Sequence, residues 1–211
     1  MPNTTNYSFP TPADTDLVKN GADAIRDLGD AVDTAMNTAL GTKKAGMVLL
    51  NTTSFSAVAS QSVNDVFSTN YRYYRIIVDL TAYTADFDLR LRYRVGGTDT
   101  SSNDYYQGGP ITNVSGVLSN ISQNGISGNI VAGGDSAFSG HYPYADLTIY
   151  RPFETVLTGL TGNLSYVTST GTFFGGSFSG FLNNSTSYTG FSLVPTAGNI
   201  TGSVQTYGFN Q

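Results

Sequence analysis

The chain has no cysteine and no tryptophan, a single histidine, His141, and a single glutamate, Glu154. Without thiols there is neither a disulfide framework nor a thiolate metal site, and the redox compartment cannot be read. One histidine cannot supply the usual ligand set of a zinc centre. One glutamate leaves glycoside cleavage dependent on aspartates, and no suitably spaced pair of carboxylates stands out. Charge is scarce as well. Charged residues are 12% of the 211 positions, about half the usual share. None occurs between Tyr105 and Gly134, and none follows Glu154. No basic stripe exists for nucleic acid. No apolar run is long enough for a membrane-spanning helix, and MPNTTNYSFPTP lacks the basic and apolar regions of a signal peptide. No G-x-S-x-G, Walker or dinucleotide motif appears in its required context. The sequence therefore points to no enzyme, no catalytic residue, no cofactor, no metal and no membrane insertion.

What the chain does have is glycine, serine, threonine, asparagine and many aromatics: 14 tyrosines and 12 phenylalanines. Disordered chains combine high charge with few aromatics, so this one is expected to fold. A large uncharged surface is hazardous for a free monomer. It is easier to account for if copies of the chain bury it against one another.

Only Thr11 to Gly41 has helical periodicity. Val18, Gly21, Ile25, Leu28, Val32, Ala35 and Ala39 recur at alternating spacings of three and four, which makes a heptad seam. Thr11 suits the N-cap, Pro12 the first helical position and Asp14 a capping box. Gly41 can close the helix, with Lys43 and Lys44 near the negative end of its dipole. Such a rod is about 44 Å long. Its alanine- and glycine-rich seam buries little area, so an isolated helix is marginal and needs a partner. Three partners are open: sister helices, another protein, or the chain's own sheet. Residues 1–10 read as an extended arm, either frayed or an anchor that orders on a partner through Tyr7 and Phe9.

Residues 45–211 read as strands and turns. Ala45–Asn51 is a short apolar run. Ser54–Ser68 directs Phe55, Val58, Val63, Val66 and Phe67 inward. Tyr71–Tyr83 buries Tyr74, Ile76, Val78 and Leu80. Asp86–Gly97 alternates Phe87, Leu89, Leu91, Tyr93 and Val95 with Asp88, Arg90, Arg92 and Arg94. These two strands are expected to pair, setting Arg75 and Asp79 opposite the arginine row. Gly96–Pro110 reads as a loop with two tyrosines at its tip. Glycine-rich punctuation every eight to twelve residues or so is the rhythm of an antiparallel β-sandwich or jelly roll. The expected fold is thus mainly β, with an arm (1–10), a helical stalk or peg (11–44) and a β-sandwich (45–211).

The arginine row with Arg72 and Arg75 offers guanidinium for anionic glycans, or is a solvated face balanced by Asp79, Asp86 and Asp88. Asp86/Asp88 and Asp99/Asp104 offer oxygen ligands, but neither pair forms a calcium loop. Loop tyrosines are the better recognition candidates: Tyr105, Tyr106, Tyr142, Tyr144 and Tyr188 combine aromatic faces with neighbouring amides and hydroxyls.

The opening TTNYSFPTPADTDLVKNGADAIRDLGDAVDTAM resembles the N-terminal segment of many bacteriophage tail-fibre and related virion proteins. There an N-Y-x-F/W-P arm precedes a helix of the type D-x-V-x-D/N-G-A-x-A-I-R-x-L. VFSTNYRYYRIIVDL…LRLRYRVGG and the closing ITGSVQTYGFN resemble the C-terminal β-domains of such proteins. The resemblance implies a virion protein, a homotrimer with an N-terminal attachment region and a distal β-sandwich for receptor contact. In that reading Val18, Ile25, Leu28, Val32 and Ala35 form the trimer seam, as a trimeric coiled-coil-like stalk. Tyr7 and Phe9 hold the arm to tail, baseplate or capsid proteins, and loop tyrosines meet a host-surface glycan or protein. The alternative is a capsid-bound head fibre or decoration protein with a structural role.

Overall fold

A computed structural model describes residues 4–5, 8–11, 20–40, 46–136, 140–168 and 170–209. The chain divides into two units, Met1–Gly46 and Met47–Gln211. Tyr7, Val18, the helix-start residues Pro12 and Asp14, and the helix-end residues Gly41, Lys43 and Lys44 lie outside the described residues.

In the first unit the described part of the arm is not extended. Thr4 N–H donates to the Phe9 carbonyl (2.9 Å) and Ser8 N–H to the Thr4 carbonyl (3.1 Å). Phe9 N–H donates to Thr4 Oγ1 (3.0 Å). Ser8 takes a left-handed conformation to close this turn. Helix α1 runs Gly21–Leu40. Its covered face is Gly21, Ala24, Leu28, Ala31 and Ala35, at spacings of three and four, with Val32 also half-covered. Ala24, at 5% exposure, is the best buried of these, whereas Ile25 is 69% exposed and Met36 55%. One residue is about 100° of helical rotation, so packing Ala24 turns Ile25 outward. The seam residues therefore divide: Leu28, Val32 and Ala35 are half-covered and Ile25 meets solvent.

Among its described residues the second unit has strands and turns and no helix. Its strands are β1 (Met47–Val58), β2 (Gln61–Val63), β3 (Tyr73–Tyr83), β4 (Phe87–Val95), β5 (Thr98–Asp99), β6 (Tyr105–Asn113) and β7 (Leu118–Ile126). They continue with β8 (Asn129–Gly134), β9 (Tyr144–Tyr150), β10 (Thr158–Val167), β11 (Phe173–Leu182), β12 (Gly190–Pro195) and β13 (Ile200–Phe209). The main path is β1-β13-β3-β9-β10-β8-β4-β12-β2. Its two ends, β1 and β2, are separated by only Ala59 and Ser60 in the chain. The ends must therefore lie together, and the sheet curls almost to closure around one core. β10 also pairs with β11, and a flap β11-β6-β7 branches from it.

The core is the inward set of each alternating strand. Tyr74, Ile76, Val78 and Leu80 of β3 and Leu89, Leu91 and Tyr93 of β4 are fully buried, as are Leu147, Ile149, Phe191, Leu193 and Val204. Phe55, Val63, Val66 and Phe67 join them as their alternation predicts, while Val95 is exposed. The expected pairing of the second and third long strands does not occur. β3 lies between β13 and β9, and β4 pairs with β8, β12 and β5. Two strands joined by a short connection at Thr84–Asp86 thus sit on opposite walls of the curled sheet.

Beyond the β10–β11 ladder, side chains fasten the flap to β8. Gln107 of β6 donates from Nε2 to the Ile130 carbonyl (2.6 Å), and its Oε1 accepts from Ile130 N–H (2.8 Å). Its amide supplies the pairing that a neighbouring strand would give β8. Asn129 Nδ2 adds a bond to the Tyr106 carbonyl (3.1 Å). β8 is consequently buried along its whole length. Gln107→Ala strands a buried donor and acceptor on Ile130. It is expected to cost about 1–3 kcal/mol in urea unfolding. A variant as stable as the parent would mean that the flap is held elsewhere.

Candidate functional site

The outward face of β3, β9, β10 and β11 carries a groove of about 560 Å³ that continues to Gly108 and Pro110 of β6. Strand register sets it within three rows, the first of which enters its lining at Phe209. Phe209, Tyr73 and Tyr150 are opposite one another on β13, β3 and β9. In the next row Arg75, Thr148, Thr161, Ser179 and Gly108 are aligned across five strands. In the third, Asp146, Asn163 and Ser177 are aligned across β9, β10 and β11. Side-chain size falls from Arg75 to Gly108 along the middle row, and that decrease hollows the face. Three inter-strand steps separate Arg75 from Ser179, about 14 Å.

Arg75 reaches diagonally across to Asp146, the geometry that neighbouring strands allow long side chains. Its Nε donates to Oδ1 (2.8 Å) and its Nη2 to Oδ2 (2.5 Å). This fork-to-carboxylate pairing holds the Asp146 carboxyl below its usual range and raises the Arg75 guanidinium. Ser177 Oγ donates to Asn163 Oδ1 (2.9 Å), and the Tyr150 and Thr161 hydroxyls are 3.1 Å apart. The rows offer fixed donors and acceptors with aromatic surface alongside. Such a surface can hold a polar ligand without covalent chemistry.

The anticipated tyrosines separate. Tyr142 and Tyr144 are about half exposed. Tyr144 is on the groove face of β9, two residues before Asp146. Tyr106 is half-buried in strand β6 and stacks on Phe181 at 5.1 Å. Tyr105 and Tyr188 are fully buried against Tyr93 and present no ring to a receptor. The reason is local: residues 105–113 form a strand, and the Tyr105 hydroxyl accepts from Tyr93 N–H and donates to the Thr100 carbonyl, both at 2.9 Å. Burial pushes the Tyr105 and Tyr93 phenols well above their ordinary range.

The arginine row faces the protein's own polar groups. Arg94 donates to Asp99, Gly97, Asn64, Ser62 and Ser192. Arg90 and Arg92 converge on Ser127. Asp99 and Ser127, rather than Asp79, Asp86 and Asp88, answer this row. Glu154 finds Arg72 at 2.7 Å. Asp86 accepts from Ser136 through Oδ1. His141 packs edge-on against Phe173, and burial lowers its pKa. Among the described residues no three histidine or carboxylate side chains converge as metal ligands. No described helix is long and apolar enough to cross a membrane.

Of the groove residues, sequence reasoning singled out Arg75 and missed the rest. Their outward placement was legible in the alternation of ADLTIY and LTGNLS. Their convergence was not, because it depends on which strands are neighbours. No family model, curated protein or solved structure matches this chain.

Asp146 has a lowered folded pKa, so its pairing stabilises the fold above the unfolded carboxylate range. That contribution is lost as pH falls through the lowered value. The pair is half-exposed and screened, so Asp146→Asn should cost about 0.5–1 kcal/mol at neutral pH. In urea unfolding the difference from the parent should vanish near about pH 2. A difference that persists in acid would show that Asp146 acts other than through its charge.

Proposed function

We propose that the chain is a bacteriophage virion protein, a short tail fibre that attaches non-covalently to the host surface as a homotrimer. The observation that carries this reading is the groove: an open face of prearranged hydroxyl, amide and ion-paired groups beside aromatic rings, on a domain with little charge. In this reading α1 is the trimeric coiled-coil-like element, and the curled sheet serves as the sandwich-like receptor module. The arm with Phe9 joins the protein to other virion proteins. The receptor is a host-surface glycan or protein, and no chemical step is required of the chain.

Two further observations support association of copies. Ile25 and Met36 leave apolar surface on α1 open to solvent, which a sister helix would cover. Among the described residues strand β7 is paired on one side only, to β6, and it carries no charge over nine residues. Such edges are normally blunted by lysine, proline or bulges; here the one bulge is at Gly125, near the strand's end, and Leu118–Asn124 keeps an unbroken register. The β6–β7 turn beside it is tightly built. Asn113 Oδ1 accepts from Ser115 and Val117 N–H (3.0 and 2.8 Å), and Gly116 supplies the positive φ of +77°. This frame holds Val114, Val117 and Leu118 out in solvent.

Light scattering of the full chain is expected to give three times its 22.4 kDa mass. Ile25→Asp should reduce the mass to that of a monomer without unfolding, since Ile25 is already exposed. An unchanged mass would exclude the seam from assembly. Labelled chain should bind whole cells of a strain that the virion adsorbs to, and should compete with adsorption. Failure to bind such cells would overturn the attachment role.

A further inference from the structure

We infer that the groove on β3, β9, β10 and β11 is a binding site for a neutral oligosaccharide, an inference whose biological setting rests on the attachment reading above. Three features of the groove select this class. A pyranose has C–H faces and hydroxyl edges, so it needs apolar surface directly beside a polar ladder. Phe209 lines the groove, and its row with Tyr73 and Tyr150 adjoins the Arg75–Thr148–Thr161–Ser179 row by strand register. Aromatic side chains with polar neighbours suit ligands that are apolar on one side and wet on the other.

Charge makes the second selection. Among the described residues, Arg75 and Asp146 are the charged ones of the groove lining, and they bond to each other through two hydrogen bonds. The lining is therefore neutral overall. A sialylated or uronate ligand would bring its carboxylate beside Asp146, and a cationic ligand would meet Arg75. Neither gains what it loses in desolvation. A hydroxyl suits both partners, donating to the remaining lone pairs of Asp146 or accepting from Arg75.

The third feature is preorganisation. Arg75 is pinned by Asp146, and Asn163 by Ser177, so a ligand need not pay to order them. Asn163 gives Oδ1 to Ser177 and keeps Nδ2 as a donor. The groove volume of about 560 Å³ is within the range of small-molecule sites. Its length of about 14 Å favours a short oligosaccharide over a single ion.

The test is an array of neutral hexose and N-acetylhexosamine oligosaccharides together with sialylated and uronate-containing ones, probed with labelled full chain. Binding to neutral members is expected. Gly108→Leu should fill the groove, and the backbone accepts it, because an added Cβ meets nothing nearer than the Ile121 carbonyl oxygen at 4.0 Å. Asn163→Ala removes a ladder donor from an exposed position. Each should weaken binding by about tenfold or more with unchanged thermal unfolding, whereas Val114→Ser, outside the groove, should not. Binding to acidic members alone, to no member, or undiminished in both groove variants would overturn the proposal. Cell binding that survives both groove variants would leave attachment standing and remove this site. Array binding without cell binding would do the reverse.

Discussion

The outer face depends on the pairing of β10. Ten residues of this strand meet β11 along one edge, and six of them meet β9 along the other. At Tyr166 the second edge passes to β8, in parallel. One strand thus belongs to the curled wall and to the flap at once. Its inward residues, Leu160 and Leu164, join the common core, while Thr161 and Asn163 point outward between the rows of β9 and β11. A one-residue slip here would exchange these sets, burying hydroxyl and amide and exposing leucine. The hydrophobic cost of that exchange holds the groove in register.

The scarcity of charge has a structural counterpart. Outside the helix, the arginines that mark β3 and β4 are mostly spent internally. Arg94 ties β4 to β5, β12 and the β2 end of the sheet. Arg90 and Arg92 clasp the turn at Ser127, where a side chain on Gly128 would press on both. Arg72 and Glu154 join the start of β3 to the segment after β9. A guanidinium has several donors in a fixed fork, so one residue can hold several strands. The surface beyond these ties is left mostly to hydroxyls, amides and aromatics.

The aromatic residues show how one composition serves two ends. Tyr93, Tyr105 and Tyr188 stack in the interior, and Tyr74 anchors the loop at Ser68 through its hydroxyl. Tyr73, Tyr142 and Tyr144 remain at the surface. Nothing in the immediate neighbours of Tyr105 and Tyr106 separates them, yet one is core and the other is not. Their strand alternates, and only its inward side meets Tyr93.

The strands themselves were readable from the chain, because burial of one face imposes a period of two on any half-buried strand. Phe87 to Tyr93 shows this plainly, and so does Tyr74 to Leu80. The helix was readable for the same reason at its own period, although which of Ala24 and Ile25 it covers was not. Strand neighbours were another matter. β3 and β4 are adjacent in sequence and distant in the sheet, and Arg75 and Asp146 are 71 positions apart and bonded. Alternation says which way a side chain points and is silent about which strand lies beside it. Pairing partners are selected by closure of the whole sheet around a single core, so the groove came into being only in the folded protein.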